Sequence, residues 1–122
     1  MAYATAAALM QAKKLSQARA YCQKAISFKE NYGEPYILLA QMYGSNPNWT
    51  DEPALNKCTY FVVIDKLQRA KAVDPSDTER ANELIGTYSR HTPQAKDLFM
   101  LGYKAGDRIT IGGWIGESTT IR

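Results

Sequence analysis

One histidine, two cysteines and twelve carboxylates are what this chain of 122 residues offers for chemistry. His91 stands at an expected helix end beside Thr92-Pro93, with no second histidine and no cysteine pair at metal-ligand spacing. A helix C-terminus favours histidine through its dipole alone, so neither a metal ligand nor a catalytic base is read from it. Cys22 and Cys58 make no disulfide framework and are expected as free thiols, with Cys22 buried in a helix interface. Gly112-Gly113-x2-Gly116 has the look of a phosphate loop, but no helix follows to present its N-terminus to an anion. There is no G-x-S-x-G elbow and no P-loop lysine, and the acids are scattered as on solvated helix faces. The expectation is a chain that is not an enzyme, with no catalytic residue, no metal and no cofactor.

Composition narrows the field further. The length suits one domain able to bury a core without staples, and 45% apolar with 22% charged residues is ordinary for a globular chain. A net charge of +3 is small, and Lys13, Lys14, Lys24, Lys29, Lys66, Arg69 and Lys71 are spread along helical patterns. That distribution reads as solvated faces and not as a nucleic-acid footprint. No apolar run approaches the ~20 residues of a membrane span, and Met1-Ala2-Tyr3-Ala4 lacks the start of a signal peptide. The chain begins inside a helical pattern, so the compartment stays open, a periplasmic one included if an upstream export signal has been removed.

The elements that position these residues are helical. From Ala18 to Tyr43 the chain reads Ala18-x3-Cys22-x2-Ala25, a turn at Asn31 to Gly33, then Tyr36-x2-Leu39-Ala40-x2-Tyr43. Small residues fall where two helices must approach closely, and the large ones recur three to four apart, forming one stripe. This resembles the tetratricopeptide repeat, with its pattern W-x2-L-G-x2-Y…A-x3-F…P. The resemblance implies stacked antiparallel helical hairpins and a scaffold that binds other proteins, without naming the partner.

In chain order, the Ala-rich residues 3–14 are expected as a first helix, and Ser16 as the N-cap of a second running to about Phe28. A third runs from Glu34 to about Gly44 with Pro35 in its first turn. The pattern returns as Val63-x3-Leu67-x2-Ala70-x4-Pro75, then Ala81-x2-Leu84-Ile85-x2-Tyr88. Leu39 and Leu84 are about 45 positions apart against a family period of about 34, and the surplus is close to three helical turns. With Thr50 as N-cap before Asp51, Glu52 and Pro53, one long helix from Asp51 to about Ala72 is expected. The run Phe61-Val62-Val63-Ile64 looks strand-like, but its flanks carry helical spacing. Trp49 has two readings, a staple on the following helix or a ligand contact.

Asp77 is expected to cap a helix from about Thr78 to Arg90. Thr92-Pro93 then restarts the chain as cap and first helical residue of a last, short helix, and Gly102 ends it. Beyond Gly106 the period becomes two: Arg108-Ile109-Thr110-Ile111 and Ser118 to Arg122 read as strands joined by a Gly-rich turn. The ending Gly112-Gly113-Trp114-Ile115-Gly116-Glu117-Ser118-Thr119-Thr120-Ile121-Arg122 is similar to the C-termini of a group of bacterial repeat proteins, many of them exported.

The expected fold is therefore all-α: a stack of three helical hairpins, about 3–30, 34–75 and 78–103, with a β-hairpin tail over 104–122 packed on the last helices. The first helix of each pair lines the concave face that repeat proteins use for peptides. Residues expected there are Tyr3 on the first, Glu34, Ile37, Leu38 and Gln41 on the second, and Asn82, Glu83 and Arg90 on the third. Family members that grip a C-terminal carboxylate use Lys, Asn and Arg at such places, and only Asn82 and Arg90 are of that type. The expected function is a non-catalytic interaction scaffold for a protein or peptide, without nucleic acid or membrane insertion. The alternative is a structural segment of a larger repeat protein or oligomer, with pairing between chains through the C-terminal strands.

Overall fold

The computed structural model describes residues 15–28 and 31–122; the expected first helix, with Tyr3, lies outside the described residues. The described part is mostly helical with one two-stranded antiparallel sheet at its end. Helix α1 (Leu15–Phe28) buries Ala18, Cys22 and Ala25, a stripe at spacings of four and three that lets the next helix come close. Ser16 falls inside this helix and does not cap it. Helix α2 (Glu34–Ser45) begins with Pro35 in its first turn and buries Ile37, Leu38, Leu39, Ala40, Met42 and Tyr43. It is the central helix, packed against α1 and most extensively against α4.

The expected single helix from Asp51 is two helices, α3 (Pro53–Lys57) and α4 (Thr59–Val73), parted at Cys58. The break is a tightened turn: Cys58 N–H donates to Leu55 O at 3.1 Å and Phe61 N–H to Cys58 O at 3.0 Å, i to i+3 bonds in place of i to i+4. Side chains hold it. Asn56 accepts from the N–H groups of Trp49 and Thr50 and donates to Thr50 O, while Thr59 Oγ1 donates to Pro47 O. The cap of α3 is Glu52, which accepts from Ala54 N–H, and not Thr50. Trp49 is tied down, its indole N–H donating to Leu55 O, with its ring against Gly112 and its Cβ near Gly113. Phe61, Val62 and Val63 are buried helix residues of α4.

A 3₁₀ turn (Pro75–Asp77) leads into α5 (Thr78–Tyr88), and a second 3₁₀ turn (Ser89–His91) follows it. Thr92-Pro93 does not start the last helix. Proline holds Thr92 extended at φ −66°, ψ 152°, and its hydroxyl donates back to Ser89 O, so α6 (Ala95–Met100) begins after Gln94. It closes as a Schellman turn, with Gly102 at φ 90°, Gly102 N–H on Phe99 O and Tyr103 N–H on Leu98 O.

Strands β1 (Arg108–Ile111) and β2 (Glu117–Thr120) pair antiparallel, Arg108 opposite Thr120 and Ile111 opposite Glu117. Period two buries Ile109 and Ile111, and Ile115, Thr119 and Ile121 join them. The hairpin sits mainly on α4. Thr119 Oγ1 donates to Asp65 Oδ2 at 2.6 Å, Arg122 pairs with Asp65, and Lys66 Nζ lies 2.6 Å from Glu117 Oε1. Its other anchor is the end of α2, where the Tyr43 hydroxyl donates to Glu117 Oε2 at 2.5 Å and accepts from Arg19 Nε at 2.9 Å. The Trp114 ring lies 5.3 Å from that of Tyr43. The hairpin does not extend over Phe99 and Met100 of α6, which stay 75% and 85% exposed.

Glu117→Ala strips the acceptor from a buried phenol and leaves Lys66 unpaired. It should lower stability by about 1–3 kcal/mol in urea titrations. Tyr43→Phe should cost less in the Glu117→Ala background than in the parent, because the two act through one bond. Additive losses would show that this contact does not fasten the hairpin.

Candidate interaction surface

Helices α2 and α5 touch at both ends and run the same way, which follows from the contacts at those ends. At the N-terminal ends Arg80 Nη1 lies 2.9 Å from Glu34 Oε2. At the C-terminal ends Gly44 meets Tyr88 so closely that a Cβ there would come 2.5 Å from the ring. Only glycine leaves room for this approach without moving the tyrosine. Helix α4 packs on both.

The expected groove residues divide on this frame. Ile37 and Leu38 are core, 1% and 6% exposed, because α2 is surrounded by α1 and α4 and has almost no open apolar flank. Glu34 is half-buried and engaged by Arg80, and Gln41 is half-buried on the same side of α2. Asn82 and Glu83 are exposed on α5, and Arg90 is exposed in the 3₁₀ turn beyond it. Two residues separate Asn82 from Arg80, about 160° around the helix axis, so Asn82 stands on the flank away from α2 while Glu83 stands nearer the seam. Gln41 and Asn82 are therefore not brought together. The side chains of Gln41, Asn82 and Glu83 make no hydrogen bond or ion pair among the described residues.

Other groups at this seam carry no signal in local spacing. Gly33 N–H donates to Asp74 Oδ2 at 3.1 Å, and a Cβ on Gly33 would come 2.6 Å from Asp77 Oδ2. Asp77 heads α5 as expected, but its side chain makes no capping bond, and its Oδ2 is buried without a partner. Burial, then the neighbouring Glu34 and Asp74 carboxylates, push its pKa up to about 6, against the opposing pull of Arg80. Tyr32, beside the same acids, is raised by burial first and by Glu34, Asp77 and Asp74 after it.

At the far end of α5, Tyr60 stacks on Tyr88 at 6.0 Å and its ring lies 5.2 Å from that of His91. Cys22 and Cys58 are buried and unbridged, and burial pushes their thiols up to about 12 and about 11. Among the described residues no cluster of three or more His, Cys, Asp or Glu is placed to hold a metal ion, and no helix is long and apolar enough to cross a membrane. No family model matches the chain, and no curated protein or solved structure is significantly similar to it.

Asp77 gives the seam a pH dependence whose sign is fixed. Its folded pKa lies above the unfolded carboxylate value, so the protonated form favours folding. The contribution is full below about pH 4 and is lost as pH rises through about 6. Asp77→Asn should therefore raise the melting temperature at pH 7.5, with the gain shrinking toward pH 4. A lower melting temperature at pH 7.5 would mean that the carboxylate is needed in its charged form.

Proposed function

We propose that the chain is a non-catalytic protein-interaction module, a tetratricopeptide-type stack of helical hairpins that receives an extended protein segment along α2 and α5. Parallel helices with a third packed on both are what stacked hairpins produce, and the buried small residues Ala18, Ala40, Ala70 and Ala81 suit the close crossings of that family. The observation that supports this reading is the pair Gln41 and Glu83, whose side chains make no hydrogen bond or ion pair among the described residues and stand toward the seam of α2 and α5. With Ile37 and Leu38 in the core, amide and charged contacts supply the recognition, Arg90 among them. The partner is a protein or peptide and not a nucleic acid.

A second reading, a structural segment of a larger assembly, is favoured by Phe99, Met100 and Leu101, which remain 75%, 85% and 40% exposed. The outer edges of the two-stranded sheet offer such an assembly strand pairing between chains.

A photo-crosslinking residue at position 41 or 83 should capture the same partner, and one at the exposed position 68 of α4 should not. For that partner, replacing Gln41 and Glu83 by Ala should weaken binding while stability stays within about 0.5 kcal/mol, as for ordinary surface changes. Unchanged affinity would remove this face from the interaction.

A further inference from the structure

An open cleft of about 450 Å³ lies between α6, the loop after it and the end of the chain. Its floor is built from Leu98 and Ile121, both buried, and its wall from the exposed Phe99 and Met100. Lys96, Lys104 and Arg122 also line it, and no acidic side chain does. Arg122 is held in place by Asp65 and lies 5.3 Å over the Phe61 ring. Lys96 and Lys104 are exposed, and their ammonium groups have no partner among the described residues.

The shape of the gap follows from the hairpins. Helix α6 has six residues, against fifteen in α4, the corresponding helix of the preceding hairpin. The β-hairpin that follows α6 turns away to α4 and leaves the flank of α6 uncovered. What is missing there is a helix-sized apolar surface.

We infer that this cleft binds an acidic amphipathic helix of another protein, its apolar stripe seated on Leu98, Ile121, Phe99 and Met100 and its carboxylates facing Lys96 and Lys104. Two lysines unpaired among the described residues, and no acidic lining residue, select such a helix over a basic one, since like charges brought together cost several kcal/mol. A concave floor selects a partner with protruding side chains over a flat lipid surface. The inference is independent of the α2–α5 face and stands whether or not that face is used.

The probe is a labelled synthetic peptide with Leu and Phe at helical i, i+3, i+4 and i+7 positions and Glu on both flanks. Its controls are the same peptide with Lys for Glu, a scrambled acidic peptide and vesicles of phosphatidylglycerol. Fluorescence anisotropy should show binding of the acidic amphipathic peptide and not of the basic or scrambled ones, weakening as salt is raised. Lys96→Glu with Lys104→Glu should weaken it by about tenfold or more, and Phe99→Ser with Met100→Ser should abolish it. These side chains are exposed, so the variants should keep the parent's circular dichroism and melting temperature. Equal binding of acidic and basic peptides, parent-like binding by either double variant, or no binding of any peptide would overturn the inference. Capture on anionic vesicles through the same residues without peptide binding would overturn it in favour of a lipid surface.

Discussion

A phenol with no access to water has to find its hydrogen-bond partners inside the protein, and Tyr43 is such a phenol. It is the largest fully buried side chain among the described residues, and its hydroxyl takes a bond from Arg19 of α1 and gives one to Glu117 of β2. Burial first, and Glu117 second, raise its pKa well above the ordinary tyrosine value, so it remains a donor at any physiological pH. Glu117 in turn is balanced by Lys66 of α4. One turn of α2 thus joins α1, α4 and the hairpin. The next residue, Gly44, admits Tyr88 of α5, so that same turn also limits how closely α5 approaches.

The parts of this arrangement that depend on neighbours in sequence were legible. Tyr36, Leu39 and Tyr43 share a stripe because a helix turns once in about 3.6 residues. Gly102 ends α6 because its φ of 90° suits glycine, and Ile109 and Ile111 face inward because a strand alternates. The break at Cys58 was hidden, since it is made by side chains of Asn56 and Thr59 reaching back to the loop, residues that a continuous helix would hold equally well. Spacing also says which residues share a face, not how many neighbours a helix has. For that reason Ile37 and Leu38 passed for groove residues, although Ile37-Leu38-Leu39-Ala40 with Met42 is apolar nearly all round, the mark of a surrounded helix. The seat of the hairpin was illegible because its fastenings, Tyr43 to Glu117 and Asp65 to Thr119, join residues 74 and 54 positions apart.

The seam between α2 and α5 is built differently at its two ends. Around Gly44 and Tyr88 it is packed, with burial first and Tyr60 second raising the Tyr88 phenol. Around Glu34 it is charged, and Arg80 there is half exposed. An ion pair so open to solvent contributes little beyond ~1 kcal/mol, so the contact of Gly44 with Tyr88 and the packing of both helices on α4 hold the seam. The buried Asp77 carboxylate beside Glu34 and Asp74 works against the seam at neutral pH.

The exposure of α6 follows from where the hairpin's apolar residues are used. Ile109, Ile111, Ile115 and Ile121 are buried in the core shared with α2 and α4, so nothing in the hairpin is left to cover the wall of α6. The open surface of α6 is apolar at its centre, with Lys96, Lys104 and Arg122 around Phe99 and Met100. A rim of one sign repels its own copy, which works against two such clefts meeting face to face, while it leaves the surface open to a partner of the opposite charge. Any surface that covers Phe99 and Met100 therefore has to meet Lys96 and Lys104 as well, which disfavours a second copy of this face.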